Sequence, residues 1–189
     1  MSQAAAKNTQ SSKFSVREIC YTGLFAAVIA VMAQISIPMP LVVPMTMQTF
    51  AITLAAVVLG SKLSAMASLV YLILGAVGVP VLASFSGGID KFVGPTGGFL
   101  ISFPLMAYII GLGVEHRNAF KGAFPLAVVV GTVVNYIVGV ILFVIVAHST
   151  VAVAISACVL PFIPTAIIKA VLACAIGLNI RKRIPGLKA

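Results

Sequence analysis

The sequence predicts an all-α integral membrane protein, with six transmembrane helices in one compact bundle and both termini in the cytoplasm. Three observations support this fold class. The 189 residues are 61% hydrophobic and only 8% charged, with a mean hydropathy of +1.21, whereas a soluble domain needs far more polar surface. Apolar segments of about 20 residues, the length that crosses a bilayer, recur along the chain. Basic residues cluster in alternate connections, as the positive-inside rule describes.

The apolar segments account for nearly the whole chain after a polar start. Residues 1–15 are predicted to form a disordered tail, and residues 16–189 a single membrane domain. The predicted spans are 19–37, 45–59, 63–82, 99–114, 124–146 and 166–180. The second span is short, because its residues reach only about 22 Å at the helical rise.

A further apolar stretch, 150–160, precedes the last span. Pro161 and Pro164 interrupt the apolar run at this point, and proline opens a helix more readily than it sits inside one. We therefore predict a shorter helix at 150–160, near one membrane face, and a last span that begins around Pro164. A single kinked helix of about thirty residues is the alternative.

The distribution of charge predicts the orientation. The formal net charge is +9, from 12 Lys and Arg against 3 Asp and Glu. With six spans, one side of the membrane receives these basic residues: Lys7, Lys13, Arg17, Lys62, Arg117, Lys121, Arg181, Lys182, Arg183 and Lys188. The positive-inside rule places that side, and both termini, in the cytoplasm. The charge therefore indicates membrane orientation and not nucleic-acid binding. The long connections at 38–48 and 83–98 face outward, and long connections often carry function, so we expect an outward-facing binding site.

Catalytic and metal-binding patterns are absent from the sequence. The three acids, Glu18, Asp90 and Glu115, are far apart in the chain, and the two histidines fall on opposite sides of the predicted membrane. There is no metalloprotease or nucleophile-elbow motif. The three cysteines are scattered and two lie within apolar runs, which is typical of small core residues. We predict neither an enzyme nor a metal or cofactor site.

The outward loop contains the glycine-rich stretch GPTGGF, which begins at Gly94. A phosphate loop requires a lysine after its glycines, and this stretch has none. One interpretation is that Gly94 and Gly97 allow a tight turn into a helix, with Thr96 as its N-cap. A compatible interpretation is that the same backbone closes over a ligand. Asp90 and Lys91 stand side by side just before this stretch.

Polar residues within the apolar spans are further candidates. Lys169 lies five residues after Pro164, roughly 7–8 Å along the last helix. A lysine at that depth normally faces a cavity or a partner, for example Asp90 or an anionic ligand. Snorkelling to the interface is the alternative. Gln48 and Asn135 carry amides that need hydrogen-bond partners, either in a neighbouring helix or in a ligand.

Small residues in the first span recur at a spacing of four. Ala26 and Ala30 form one pair, and Gly23 and Ala27 form another. This spacing allows two membrane helices to approach closely. Either a contact within this chain or docking to another membrane protein would explain it.

Between residues 37 and 100 the sequence resembles a known family. The motifs that carry the resemblance occur in order as PMTMQTF, LG, YLILGAVGVPV and GPTGGF, and PFIP followed by Lys169 matches a later signature. Together they resemble the BioY family, the biotin-specific substrate-binding subunits (S components) of energy-coupling factor (ECF) transporters. The resemblance extends over about residues 17–181.

The resemblance implies a multi-pass protein of the cell membrane that captures biotin from outside. It also implies a separate coupling transmembrane subunit and ATPase subunits as partners, with Ala26 and Ala30 contacting the coupling subunit. Membrane lipid would surround the bundle. We expect the ligand to be bound by residues of the spans, with the 83–98 loop as a lid. The predicted ligand-binding residues are Thr46, Gln48, Tyr71, Asp90, Lys91, Gly94, Thr96, Gly97, Asn135 and Lys169.

One position departs from the family pattern. Ala166, three residues before Lys169, stands where the family usually has an aspartate. Asp90, Asn135 or backbone carbonyls could replace that carboxylate. An S component for another small vitamin, or a stand-alone small-solute transporter, remain alternatives. The latter would need paired intramembrane acids or helices broken at mid-depth, which the sequence does not show.

Overall fold

The computed structural model describes residues 15–37, 39, 43–117 and 122–184. These residues form the α-helices α1 (Val16–Ala33), α2 (Gln48–Leu59), α3 (Ser61–Ala76), α4 (Asp90–Val93), α5 (Gly97–Glu115), α6 (Ala123–Ala147), α7 (Val151–Cys158) and α8 (Ile163–Arg183). Two short strands, β1 (Ser36–Ile37) and β2 (Met45–Thr46), pair antiparallel, and 3-10 turns occur at Ala83–Phe85 and Leu160–Phe162. The predicted tail lies outside the described residues, except for Ser15.

The prediction of an all-helical membrane protein is confirmed. Three single helices, α1, α5 and α6, and the run Val151–Arg183 are each long and apolar enough to cross a membrane. Helices α2 and α3 are shorter, at 12 and 16 residues. The predicted break before Pro161 is present, because Val159 leaves the helical conformation between α7 and the 3-10 turn.

Several predicted boundaries were wrong. The first span ends at Ala33, because the apolar residues after it turn into the β1–β2 pair. The third ends at Ala76, because Gly78 adopts a φ of +102° and breaks the helix. Hydropathy alone does not register either turn, because Ile35 and Ile37 after the first helix, and residues 77–82 after the third, extend the apolar runs. The 83–98 connection, predicted as a loop, contains α4 and the start of α5.

Helix α2 is the centre of the bundle. All of its residues except Thr49 are buried, and α1, α3, α5 and α8 pack around it. A helix that is apolar on every side is expected to be enclosed by others. By contrast, α6 exposes Ile137, Ile141 and Ile145 on one face, which suits contact with lipid.

The ends of the central helices are held by charged residues from α5 and α8. The Glu115 carboxylate accepts hydrogen bonds from the Ser61 amide (2.7 Å) and hydroxyl at the start of α3. The Arg181 guanidinium donates to the carbonyls of Val57 (3.3 Å) and Val58 (3.0 Å) at the end of α2. A carboxylate at a helix N-terminus and a cation at a C-terminus both complement the helix dipole. These contacts hold the α2–α3 turn against α5 and α8.

Candidate functional site

A cavity of about 320 Å³ opens at the end of the bundle where α2 and α5 begin. This volume is in the range of small-molecule pockets, about 300–1,000 Å³. Its walls come from α2, α5, α6, α7, α8, the 3-10 turn before α8, the 43–46 segment and the 82–96 connection. The lining residues are Val43, Pro44, Thr46, Gln48, Thr49, Leu82, Ala83, Ser84, Ser86, Lys91, Thr96, Phe99, Leu100, Phe103, Asn135, Tyr136, Cys158, Phe162, Thr165, Ala166 and Lys169. The lining therefore combines apolar and aromatic side chains with a similar number of polar ones.

Six of the predicted ligand-binding residues line this cavity. They are Thr46, Gln48, Lys91, Thr96, Asn135 and Lys169. The other four, Tyr71, Asp90, Gly94 and Gly97, do not line it. Tyr71 and Asp90 instead contact the lining residues Gln48 and Lys91, while Gly94 and Gly97 belong to the turn into α5.

Tyr71 is buried behind the wall and orients Gln48. The Gln48 amide nitrogen donates a hydrogen bond to the Tyr71 hydroxyl. The Thr46 hydroxyl donates to the carbonyl oxygen of the Gln48 amide, at 2.9 Å. Gln48 is only 5% exposed, so these bonds fix both ends of its amide at the cavity. Tyr71 therefore acts through Gln48.

Lys169 reaches the cavity from α8. Its ammonium group donates to the backbone carbonyl of Thr46, at 2.7 Å. Among the described residues, neither Asp nor Glu lines the cavity. Asp90, the predicted partner, is 68% exposed at its side chain and instead pairs with Lys91 at 3.3 Å. The deep lysine is therefore held by a neutral carbonyl and has further N–H groups to offer a ligand.

Asn135 connects α6 to α5 at the cavity wall. Its amide nitrogen donates to the Phe99 carbonyl (3.1 Å) and to the Ser102 hydroxyl (2.8 Å). Both donors of the side chain are thus used between helices, as expected of a structural amide. Its carbonyl oxygen is the polar group that Asn135 can present to the cavity.

The glycines of GPTGGF support the turn interpretation. The Gly94 amide donates to the Asp90 carbonyl and the Gly97 amide to the Gly94 carbonyl, both at 2.9 Å. Thr96 occupies the N-cap position of α5, but its side chain makes no capping hydrogen bond. Gly98 lies so close to α6 that a β-carbon there would be 2.6 Å from the Val138 carbonyl oxygen. The stretch therefore allows α5 to begin tightly against its neighbours.

Aromatic residues form a part of the site that is not among the predicted ligand-binding residues. Phe99, Phe103, Tyr136 and Phe162 line the cavity. The rings of Phe99 and Tyr136 meet edge to face, with centroids 6.5 Å apart. Their sequence signal is weak, because aromatic residues in an apolar span do not reveal which face they occupy. Ala166, the position that departs from the family pattern, is also in the wall.

The small-residue pairs of α1 fall on different faces. Ala26 is 3% exposed and packs within this chain, and Ala30 is half-buried against the same core. Gly23 and Ala27 are exposed. The contact within this chain therefore accounts for Ala26, while a partner contact at Ala26 and Ala30 remains a prediction.

Comparison with known proteins finds relatives along nearly the whole chain. A sequence model of the BioY family matches residues 6–186. The biotin transporter BioY of Thermotoga maritima is 42% identical over 168 residues, covering 88% of this chain and 97% of that protein. The biotin transporter BioY of Rhizobium etli is 34% identical over 186 residues, covering 93% of this chain and 98% of that protein.

The fold has a counterpart among solved structures. The crystal structure of the S component for biotin from an ECF-type ABC transporter matches with a TM-score of 0.80 and 27% identity, covering 88% of this chain and 92% of that one. The family is one of transporter subunits, so the prediction that the chain is not an enzyme is confirmed. Motifs, sequence relatives and fold agree, and the chain belongs to the BioY family.

Proposed function

We propose that this chain is the biotin-binding S component of an ECF-type ABC transporter. This proposal rests on one observation: aromatic rings, Lys169 and the Gln48 amide line the same cavity. Relatives that cover nearly the whole chain are biotin transporters, and the matched crystal structure is that of a biotin S component.

The chemistry of the cavity suits the parts of biotin. Phe99, Phe103 and Tyr136 provide apolar surface for the fused ring system and its aliphatic tail. Lys169 and Lys91 are the cations of the wall, one held deep by the Thr46 carbonyl and one partly exposed beside Asp90. With no carboxylate among the described lining residues, a monoanionic ligand supplies the negative charge that Lys169 lacks, whereas Lys91 is already paired with Asp90.

The ureido N–H groups of biotin need acceptors, and no carboxylate at position 166 provides them. Asp90 does not line the cavity, which removes it from the candidates. The Thr165 hydroxyl lines the wall beside Ala166 and donates to the Phe162 carbonyl at 2.9 Å. Its oxygen lone pairs are then available. Thr165 and the Asn135 carbonyl oxygen are therefore the acceptors that we assign to the ureido group.

The finer topology is also part of this proposal. We place six helical passes in the cell membrane, with α4 and α7 as short segments at the outer face and both termini in the cytoplasm. The basic residues near the ends of α1 and α8, Arg17 and Arg181–Arg183, support this orientation under the positive-inside rule. The cavity then opens outward.

The energy for uptake comes from partner subunits in this proposal. A coupling transmembrane subunit would contact α1, and ATPase subunits would act from the cytoplasm. The exposed Gly23 and Ala27 present a surface of α1 on which another helix could pack closely, next to the predicted pair Ala26 and Ala30.

Calorimetric titration tests the ligand assignment. Detergent-purified protein is titrated with biotin, with thiamine and riboflavin as competing vitamins, after its folding is checked by circular dichroism. We expect tight binding of biotin alone. Biotin amide, which lacks the carboxylate, serves as the matched ligand and should bind more weakly. No heat with biotin from folded protein, or equal binding of another vitamin, would refute the assignment.

A further inference from the structure

A tight turn at residues 81–86, between α3 and α4, forms one rim of the cavity. Leu82, Ala83, Ser84 and Ser86 of this turn all line the cavity. The Leu82 amide donates to the Ser86 carbonyl at 2.9 Å, and the Ser86 hydroxyl donates to the Ala83 carbonyl at 2.7 Å. The 81–86 turn therefore borders the path by which a ligand would cross this rim.

The backbone of this turn is held in an unfavourable conformation. Ser84 and Phe85 have φ angles of +57° and +54°. Residues other than glycine avoid this left-handed region, because the β-carbon crowds the backbone. Phe85 gains little in return from packing, since its side chain is 72% exposed. Contacts from outside the turn are needed to keep two consecutive residues in this state.

One side chain provides those contacts. Gln34, at the end of α1, accepts a hydrogen bond from the Phe85 amide through its carbonyl oxygen, at 2.7 Å. Its amide nitrogen donates to the carbonyls of Val81 (3.1 Å) and Ala30 (2.9 Å). A single planar amide thus joins both ends of the 81–86 turn to α1, and both of its donors are used. The hydroxyls of Ser36 and Ser84 add a second link at 2.9 Å.

We infer that Gln34 is a positioning residue that fastens the 81–86 turn over the cavity and slows the release of the ligand. This inference rests on the proposed function for the identity of the ligand, biotin. Gln34 itself does not line the cavity. Opening the rim breaks the hydrogen bonds that Gln34 makes with Val81 and Phe85. A variant without these bonds should therefore release the ligand faster, although the contacts between the ligand and the cavity stay the same.

Two variants of Gln34 distinguish the role of its N–H donor from that of its carbonyl acceptor. Gln34→Met keeps the length of the side chain and removes both functions. Gln34→Glu keeps an acceptor for the Phe85 amide and loses the donor to Val81. Thr22→Val is the matched control, because it removes one side-chain hydrogen bond from the same helix, to the Glu18 carbonyl, far from the 81–86 turn in sequence.

The test is the rate at which labelled biotin leaves the detergent-purified protein when unlabelled biotin is added in excess. We expect Gln34→Met to raise this rate at least about fivefold, since most interface changes appear in dissociation. Gln34→Glu should be intermediate and Thr22→Val unchanged. The thermal midpoint of the unliganded protein should be similar in all three. Dissociation from Gln34→Met at the wild-type rate would overturn the inference.

Hydrogen exchange of the unliganded protein gives a readout that needs no biotin. The Phe85 amide should be protected in the wild type and should exchange faster in Gln34→Met, while amides of α2 stay protected in both. If the wild type fails to bind biotin, the proposed function fails, but this readout still tests the role of Gln34. If Gln34→Met does not fold, rapid exchange of Phe85 in the wild type alone would overturn the inference.

Discussion

Replacing Lys169 with methionine tests the central polar contact of the cavity. Met has nearly the length of Lys but lacks the charge and the three N–H donors. A hydrogen bond to a charged group contributes about 1.5–3 kcal/mol. At about 1.4 kcal/mol per tenfold, loss of one such bond to biotin should weaken binding by about 10- to 150-fold. Loss of several bonds would exceed this range.

The folding of the unliganded protein should respond differently. Lys169→Met removes one hydrogen bond, to the Thr46 carbonyl, but it also removes a charge that is partly buried without an acid in the cavity wall. These effects oppose each other, so the free energy of unfolding should change by no more than about 1 kcal/mol. A large loss of affinity with little loss of stability is the signature of a binding role.

Calorimetric titration with biotin and thermal unfolding in detergent measure the two quantities. Lys182→Met is the matched control, because it removes a lysine from the exposed end of the same helix. Lys91→Met should have a smaller effect than Lys169→Met, since Lys91 is partly exposed and already paired with Asp90. The reasoning is refuted if Lys169→Met binds biotin within threefold of wild type, or if Lys182→Met loses as much.

Three further predictions concern the scaffold of the site. Tyr71→Phe leaves the buried Gln48 amide without its acceptor and should destabilise the protein by about 1–3 kcal/mol; an unchanged thermal midpoint would contradict this. Gly98→Ala places a methyl group against the Val138 carbonyl. Because this forces α5 and α6 apart, the free energy of unfolding should fall by about 1–3 kcal/mol. Urea or thermal unfolding measures this change, and the prediction fails if the variant is as stable as wild type. Arg181→Met leaves two carbonyls at the end of α2 without their hydrogen bonds and should lower the free energy of unfolding by about 1–3 kcal/mol. Biotin affinity should stay within about twofold, since a change of about 0.4 kcal/mol or less is expected at a distant site. A selective loss of affinity would argue against a purely structural role.

Some features of the site could be predicted from the sequence because each depends on one residue in a known setting. Lys169 lies in an apolar helix, where a charge requires a polar partner or a cavity. Gln48 begins a span directly after a connection, so its amide was expected near the outer ends of the helices. The break before Pro161 follows from the missing amide of proline. These inferences need no knowledge of the other helices.

Other features depend on which helix faces which. Asp90 and Lys91 are neighbours in sequence, yet only Lys91 lines the cavity. The four-residue helix α4 decides this, because successive residues on a helix point in directions about 100° apart. Tyr71 and Gln48 are separated by 23 residues, and their order, with Tyr71 behind Gln48, is set by the packing of α3 against α2.

By itself the sequence determined the membrane class, most of the helical segments, the family and the principal polar residues of the site. The membrane class and the helical segments follow from hydropathy and proline, and the polar site residues from their charge or hydrogen-bonding groups in apolar spans. The family follows from the resemblance of the sequence motifs. Only the tertiary structure decided the aromatic wall, the capping of α2 by Arg181 and the attachment of the 81–86 turn to Gln34. The contacts of Gln34 with Val81 and of Arg181 with Val57 join residues that are 47 and 124 positions apart. Nearly every span in this chain is apolar on all faces. Hydropathy therefore does not indicate which face of a helix contacts another helix or the cavity, and only close packing determines this.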